Sequence, residues 1–170
     1  TESRVVNIKG SKQTQDRTSK TCYLSKTADY CKNYLKKINE LINIDQNHLE
    51  LPQITFYEKN QEYKAHYDSI DPHTEEGNIF CANGGSRIGT VICYLNTIEK
   101  GGETEFPKLN IKIKPVKGTA LIFFPSNLKG DMELNTLHAG LPVENEKYIL
   151  TQWIRQYYSK DGCPSENKEK

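Results

Sequence analysis

The chain lacks most of the features that would place it at once. No run of apolar residues approaches the roughly 20 needed to cross a bilayer, and Thr1 to Lys20 are polar rather than signal-like. The chain as it stands is therefore expected to be soluble, with no membrane span and no compartment marked. Lys and Arg total 23 against 22 Asp and Glu, a net charge of +1, so no global field recruits nucleic acid or an anionic membrane. Five cysteines (Cys22, Cys31, Cys81, Cys93, Cys163) are an odd number without a C-x-x-C pair, which argues against zinc-ribbon or thioredoxin-like chemistry. One thiol at least stays unpaired in a monomer, and disulfides among the rest are left open. There is no N-x-S/T sequon, no internal repeat and no low-complexity tract.

What is present suits one domain. The 170 residues can bury one substantial core and not two comfortable ones, so residues 1–170 are taken as a single unit. Ser159 to Lys170, charged and interrupted by Gly162 and Pro164, reads as a loose tail. From Thr27 to Asn43, apolar residues fall at Cys31, Tyr34, Leu35, Ile38, Leu41 and Ile42, the spacing of an amphipathic helix. Lys32, Lys36, Lys37 and Glu40 form its solvated face.

After Pro52 the pattern changes to short β-branched and aromatic segments. These are Ile54 to Tyr57, Tyr63 to Asp68, Arg87 to Leu95, Asn110 to Pro115, Thr119 to Phe124, Leu134 to His138 and Lys147 to Tyr157. Turn formers separate them at Lys59-Asn60, Gly101-Gly102, Lys117-Gly118 and Gly140-Leu141-Pro142. The expected fold is mainly β with flanking helices: a double-sheet jelly roll, with the N-terminal helix packed outside the major sheet. In Arg87 to Leu95, Val91, Cys93 and Leu95 share one face and Thr90, Ile92 and Tyr94 the other, so both faces are expected to be covered. The polar stretch 69–86 is long for a connection, which predicts a lid or binding loop.

His66 and Asp68 are two residues apart on a predicted strand and so point the same way. His138 arrives from a distant strand, where Ala139 and Gly140 allow the chain to turn. Two histidines and one carboxylate on one face of a metal, with other positions open, describe a non-haem Fe(II) oxygenase site. Alternation puts Lys147, Ile149, Thr151 and Trp153 on one face of the last strand. If that face is interior, the lysine is a buried charge costing several kcal/mol unless an anion meets it. A dicarboxylate such as 2-oxoglutarate would supply that anion, one end chelating iron and the other pairing with Lys147, with hydroxyl donation from Thr90 and Tyr94.

The ordered set Arg17-Thr18-Ser19, Tyr57-x5-Tyr63-x2-His66-x-Asp68, Arg87-x2-Thr90-x3-Tyr94-Leu95, Gly101-Gly102-Glu103-Thr104-x-Phe106-Pro107, His138-Ala139-Gly140-x-Pro142-Val143 and Lys147-x5-Trp153 resembles the catalytic domain of prolyl 4-hydroxylases. It is similar to the small forms of plants, algae and large DNA viruses, within the Fe(II)/2-oxoglutarate dioxygenase superfamily. The resemblance implies a double-stranded β-helix, with iron held by His66, Asp68 and His138 and the C5 carboxylate of 2-oxoglutarate held by Lys147, Tyr94 and Thr90. It places Tyr57 beside the co-substrate, Trp153 near the iron, and Tyr63 and Arg87 against a peptide. The implied reaction couples decarboxylation of 2-oxoglutarate, giving succinate and CO2, to hydroxylation at C4 of a peptidyl proline in a Pro-rich or collagen-like sequence, with O2 as oxidant and ascorbate as reductant. The alternative is the same chemistry on a free amino acid, another protein side chain or a small metabolite. A monomer is expected; the compartment is left unknown, with a secretory-pathway or viral and host-cell context both open. One departure concerns Lys59-Asn60-Gln61, where many members carry Gly-Gln or Gly-Gly.

Overall fold

A computed structural model describes residues 17–159. Of the predicted tail, only Ser159 lies within that range, and its amide donates to the Asn47 carbonyl at 2.8 Å; the remainder lies outside the described residues, as does Cys163. The elements run β1 (Lys20–Tyr23), α1 (Asp29–Ile42), β2 (Gln53–Tyr57), β3 (Tyr63–His66), α2 (Glu75–Cys81), β4 (Arg87–Tyr94), β5 (Thr104–Phe106), β6 (Ile111–Ile113), β7 (Ala120–Phe123), β8 (His138–Gly140) and β9 (Lys147–Arg155). Antiparallel pairing builds one sheet in the order β1-β2-β9-β4-β7 and a second in the order β3-β8-β5-β6, the two layers of a jelly roll.

Alternation in β4 and β9 creates two cores. Inside the roll, Tyr57, Ile92, Tyr94, Phe106, Phe123, Val143 and Ile149 pack together. Outside it, Cys31, Leu35 and Ile38 of α1 lie on Leu49, Val91 and Ile154, so the amphipathic helix covers the five-stranded sheet as its stripe predicts. Leu41 falls off that stripe and is exposed. The helix ends at Asn43, whose left-handed backbone (φ 48°) lets its amide reach the Asn39 carbonyl.

The structure differs from the sequence-based expectations at several points, each with a local cause. Leu134 to His138 is not a strand: Leu134–Thr136 forms a 3-10 turn. There the Glu133 carboxylate accepts from the Asn135 amide at 3.0 Å, and the Thr136 hydroxyl donates to the Glu133 carbonyl at 2.6 Å. Such local side-chain bonds compete with a ladder, so the strand begins at His138 instead of ending there. The strands β1 and β5 escape a periodicity reading because they are short and polar. The stretch 69–86 is not a structureless loop but contains α2, with Thr74 at its N-cap accepting from the Gly77 amide at 3.0 Å. The Lys59-Asn60 turn keeps its geometry without glycine, since Asn60 takes φ 65° and its amide bonds the Val143 carbonyl at 2.8 Å.

Candidate active site

The register of β3 on β8 pairs His66 with His138, so two residues far apart in sequence become cross-strand neighbours on the inner face. Asp68 lies just past the end of β3. One nitrogen from each ring and one carboxylate oxygen lie within 4.8 Å of one another. His66 Nε2 is 3.7 Å from Asp68 Oδ1, and His138 Nε2 is 3.8 Å from Asp68 Oδ2.

The same device orients both imidazoles. His66 Nδ1 sits 2.7 Å from the Lys64 carbonyl and His138 Nδ1 sits 2.9 Å from the Thr136 carbonyl. A carbonyl can only accept, so each Nδ1 carries the proton and each Nε2 presents its lone pair to the centre. Burial, reinforced by the facing His138, lowers His66 to about 4, which keeps that ring neutral and available as a ligand. Burial alone would raise Asp68, but His138, His66 and Arg87 and the Thr90 hydroxyl hold it down at about 2. Two imidazoles with Nε2 turned inward around an ionised carboxylate fit a divalent first-row metal.

Lys147 lines the same cavity, which encloses about 150 Å³. It is 2% exposed, its ammonium donates to the Gly102 carbonyl at 2.6 Å, and the Tyr57 and Tyr94 rings lie 5.2 and 5.9 Å from it. Burial lowers its pKa to about 8, with Glu103 opposing. One carbonyl and two ring faces leave an ammonium short of the anion that its burial calls for. That deficit fits a carboxylate of 2-oxoglutarate entering the cavity.

Tyr57, Tyr63, Arg87 and Trp153 also line the cavity. The Tyr63 ring stacks on His66 at 3.5 Å between centroids, with the Arg17 guanidinium 4.8 Å above it. The Thr90 hydroxyl donates to Asp68 Oδ2 at 2.7 Å, and the Tyr94 hydroxyl donates to the Thr104 hydroxyl at 2.8 Å. Arg87 is held within the protein. Its Nε and Nη2 reach the two Glu50 oxygens at 2.7 and 2.8 Å, and its Nη1 donates to the Asp68 carbonyl at 3.2 Å.

Sequence reasoning missed Glu50, Gln53 and Thr55, and gave Thr104 a place in a motif but no role. Arg17 donates through Nη2 to Gln53 and Thr55 at 2.9 and 2.8 Å, which ties the residues just before β1 to β2 at the cavity wall. The available signal for Glu50 was indirect: Arg87 and Arg155 both stand in apolar strands, and buried guanidinium groups need a counterion.

Residues 52–155 match the 2OG-Fe(II) oxygenase superfamily. A protein of Acanthamoeba polyphaga mimivirus named as a prolyl 4-hydroxylase is 37% identical over 142 residues, 82% of this chain and 59% of that one. Prolyl 4-hydroxylase 2 of Arabidopsis thaliana is 36% identical over 174 residues, 87% of this chain and 56% of that one. The chain thus spans little more than half the length of these relatives. Among solved structures, the viral collagen prolyl hydroxylase of Paramecium bursaria Chlorella virus-1, in its 2OG complex, superposes with a TM-score of 0.70 at 33% identity, covering 82% of this chain and 80% of that one.

Proposed function

The chain belongs to the 2OG-Fe(II) oxygenase superfamily, and on that premise we propose that it hydroxylates peptidyl proline at C4 in a Pro-rich or collagen-like chain. Two supports carry the reading. The His66, Asp68 and His138 cluster shares one cavity with the buried, anion-deficient Lys147, and the similar viral enzyme is named a collagen prolyl hydroxylase.

Iron(II) with 2-oxoglutarate supplies the oxidative chemistry there: one oxygen atom of O2 leaves in succinate as CO2 is lost, and the other enters a C–H bond of the substrate. The protein's part is positional. His66 and His138 present Nε2 and Asp68 an oxygen, while Thr90 fixes the second carboxylate oxygen. Lys147 holds the distal carboxylate of the co-substrate, and the aromatic rings of Tyr57 and Tyr94 around it keep water from competing for its charge. Tyr63, stacked on His66, and Trp153 form apolar walls suited to a pyrrolidine ring. A Pro-rich strand binds such walls at low entropic cost because it is already extended.

Turnover tests the reading. With Fe(II), ascorbate and 2-oxoglutarate, Pro-rich or Pro-Pro-Gly peptides are expected to stimulate succinate release and gain one oxygen on proline. Stimulation confined to substrates without proline would overturn the proline assignment while leaving the oxygenase intact.

A further inference from the structure

Register places Arg87 of β4 directly opposite Arg155 of β9. Like charges facing across a strand pair repel, and both of these are buried enough to feel it. Glu50 resolves the conflict. Its Oε1 lies 2.7 Å from Arg87 Nε and 2.6 Å from Arg155 Nε, and its Oε2 takes Arg87 Nη2 at 2.8 Å.

Glu50 itself is fixed from two sides. Its amide donates to the Trp153 carbonyl at 3.0 Å, and its carbonyl accepts from Gln152 Nε2 at 2.8 Å. Both partners belong to β9, the middle strand of the five-stranded sheet, so the carboxylate is referenced to a strand paired on both sides.

The two arginines then reach opposite ends of the 69–86 segment. Arg87 Nη1 donates to the carbonyl of Asp68, where the segment starts. Arg155 Nη1 donates to the carbonyls of Phe80 and Gly85 at 3.2 and 2.8 Å, where α2 finishes. Between them, the Phe80 ring, which lines the cavity, has both guanidinium groups against it, at 5.2 Å from Arg87 and 4.2 Å from Arg155. The Arg87 guanidinium also lies 3.9 Å from the Trp153 ring centroid, so one planar group spaces two walls of the cavity.

We infer that Glu50 is a positioning residue which, through Arg87 and Arg155, locks the 69–86 segment as a fixed wall of the active site and sets the metal ligand Asp68 by the same contact network. The segment is then not a lid that closes on substrate. The inference takes from the proposed function only the identity of the cavity and the metal cluster, and it holds for any substrate of an oxygenase with this site.

Hydrogen exchange on the full chain, with Co(II) binding as the second readout, tests it without turnover or peptide, so a wrong proline assignment leaves the result untouched. In Arg155→Gln, amides of 75–85 are expected to exchange about tenfold faster while those of β2 and β9 keep their wild-type rates, and Co(II) affinity stays within about twofold because Asp68 is still held. In Arg87→Gln, Co(II) affinity is expected to fall at least about tenfold, the usual cost of losing a partner behind a metal ligand. Glu50→Gln is expected to show both effects. Unchanged exchange of 75–85 in Arg155→Gln, or an equal rise in β2 and β9, overturns the wall. Wild-type Co(II) affinity in Arg87→Gln overturns the link to Asp68. If Glu50→Gln does not fold, the two arginine variants decide the matter alone.

Discussion

Lys147 and Gly102 meet at 2.6 Å, ammonium to carbonyl, and the glycine is what permits the contact. Gly102 has φ 70°, and a Cβ there would stand 2.8 Å from Val143 Cγ1 and 3.4 Å from Lys147 Cδ. A side chain at position 102 would therefore push on the lysine stem that the cavity depends on. The pair fixes where the charge sits before any co-substrate arrives, which is the preorganisation that makes a single lysine sufficient.

From this pair comes a prediction about stability and pH. The folded-state pKa of Lys147 is lowered to about 8 from 10.5, so between those values the unfolded chain binds more protons and stability rises with pH. Below pH 8 the full penalty applies, about 3 kcal/mol for a shift of that size. Lys147→Met keeps the stem and removes the charge. It is expected to raise the midpoint of urea unfolding of the ligand-free protein at pH 7, and to remove the part of the pH 8 to 10.5 rise that the wild type shows over it. The same variant should weaken 2-oxoglutarate binding by about 10- to 100-fold, the worth of one charge-assisted pair. Equal stability of the two proteins across this range would contradict the buried-charge account.

Thr90 gives a second prediction. Its hydroxyl proton is held by Asp68 Oδ2, so Thr90→Val leaves one carboxylate oxygen without its donor while preserving shape. Metal affinity is expected to fall about tenfold and folding stability by about 1–2 kcal/mol. Thr90→Ser should restore most of both, and Co(II) titration by calorimetry reads the difference. Were Thr90 instead a co-substrate donor, the valine variant would raise the KM for 2-oxoglutarate and leave Co(II) binding alone.

Metal linkage gives the third. A ligand that binds only the folded state stabilises it by about 2.7 kcal/mol at a hundredfold excess over Kd, so Fe(II) or Co(II) should raise Tm and a chelator should reverse the rise. His138→Ala removes the ligand brought by β8. It is expected to abolish turnover and to make Tm indifferent to added metal. A metal-dependent Tm in that variant would place the ion elsewhere.

How much of this was legible in the sequence depended on whether a residue's partner was local. His66 and Asp68 were visible as a pair because their spacing reads as strand alternation, although the strand stops at His66 and Asp68 follows it, and Lys147 stood out because an apolar, alternating strand has no use for an ammonium. The helix stripe at Cys31, Leu35 and Ile38 was equally local. What the sequence hid was set by register. Only the β3–β8 pairing brings His138 beside His66, and only the β4–β9 pairing makes Arg87 and Arg155 compete for Glu50. For Thr90 the inward face was legible but its bond to Asp68 was not, since alternation gives a direction and not the identity of the neighbour it meets. The helix α2 was missed because seven residues make too few turns for a periodic signal, although the Thr74 cap and the Asp71-Pro72 turn before it were there to be read.

That short helix carries the last prediction. A Cβ built on Gly77 would lie 1.7 Å from the Asp71 carbonyl oxygen and 2.5 Å from its carbon, both backbone atoms with nowhere to retreat while the Asp71 carbonyl also accepts the Thr74 amide at 3.1 Å and hydroxyl at 2.8 Å. The first turn of α2 therefore cannot survive Gly77→Ala, despite alanine's better helix propensity, worth about 1 kcal/mol at an unconstrained site. Thr74→Ala, by contrast, removes only the cap and should cost about 1 kcal/mol. Expected outcomes are a Tm loss clearly larger for Gly77→Ala than for Thr74→Ala, and faster hydrogen exchange through 71–81 in the former. Because α2 carries Phe80 into the cavity wall, substrate KM should rise in Gly77→Ala while Co(II) affinity, governed by residues outside the helix, changes little. A stabilising Gly77→Ala would mean that α2 does not pack against Asp71 in solution.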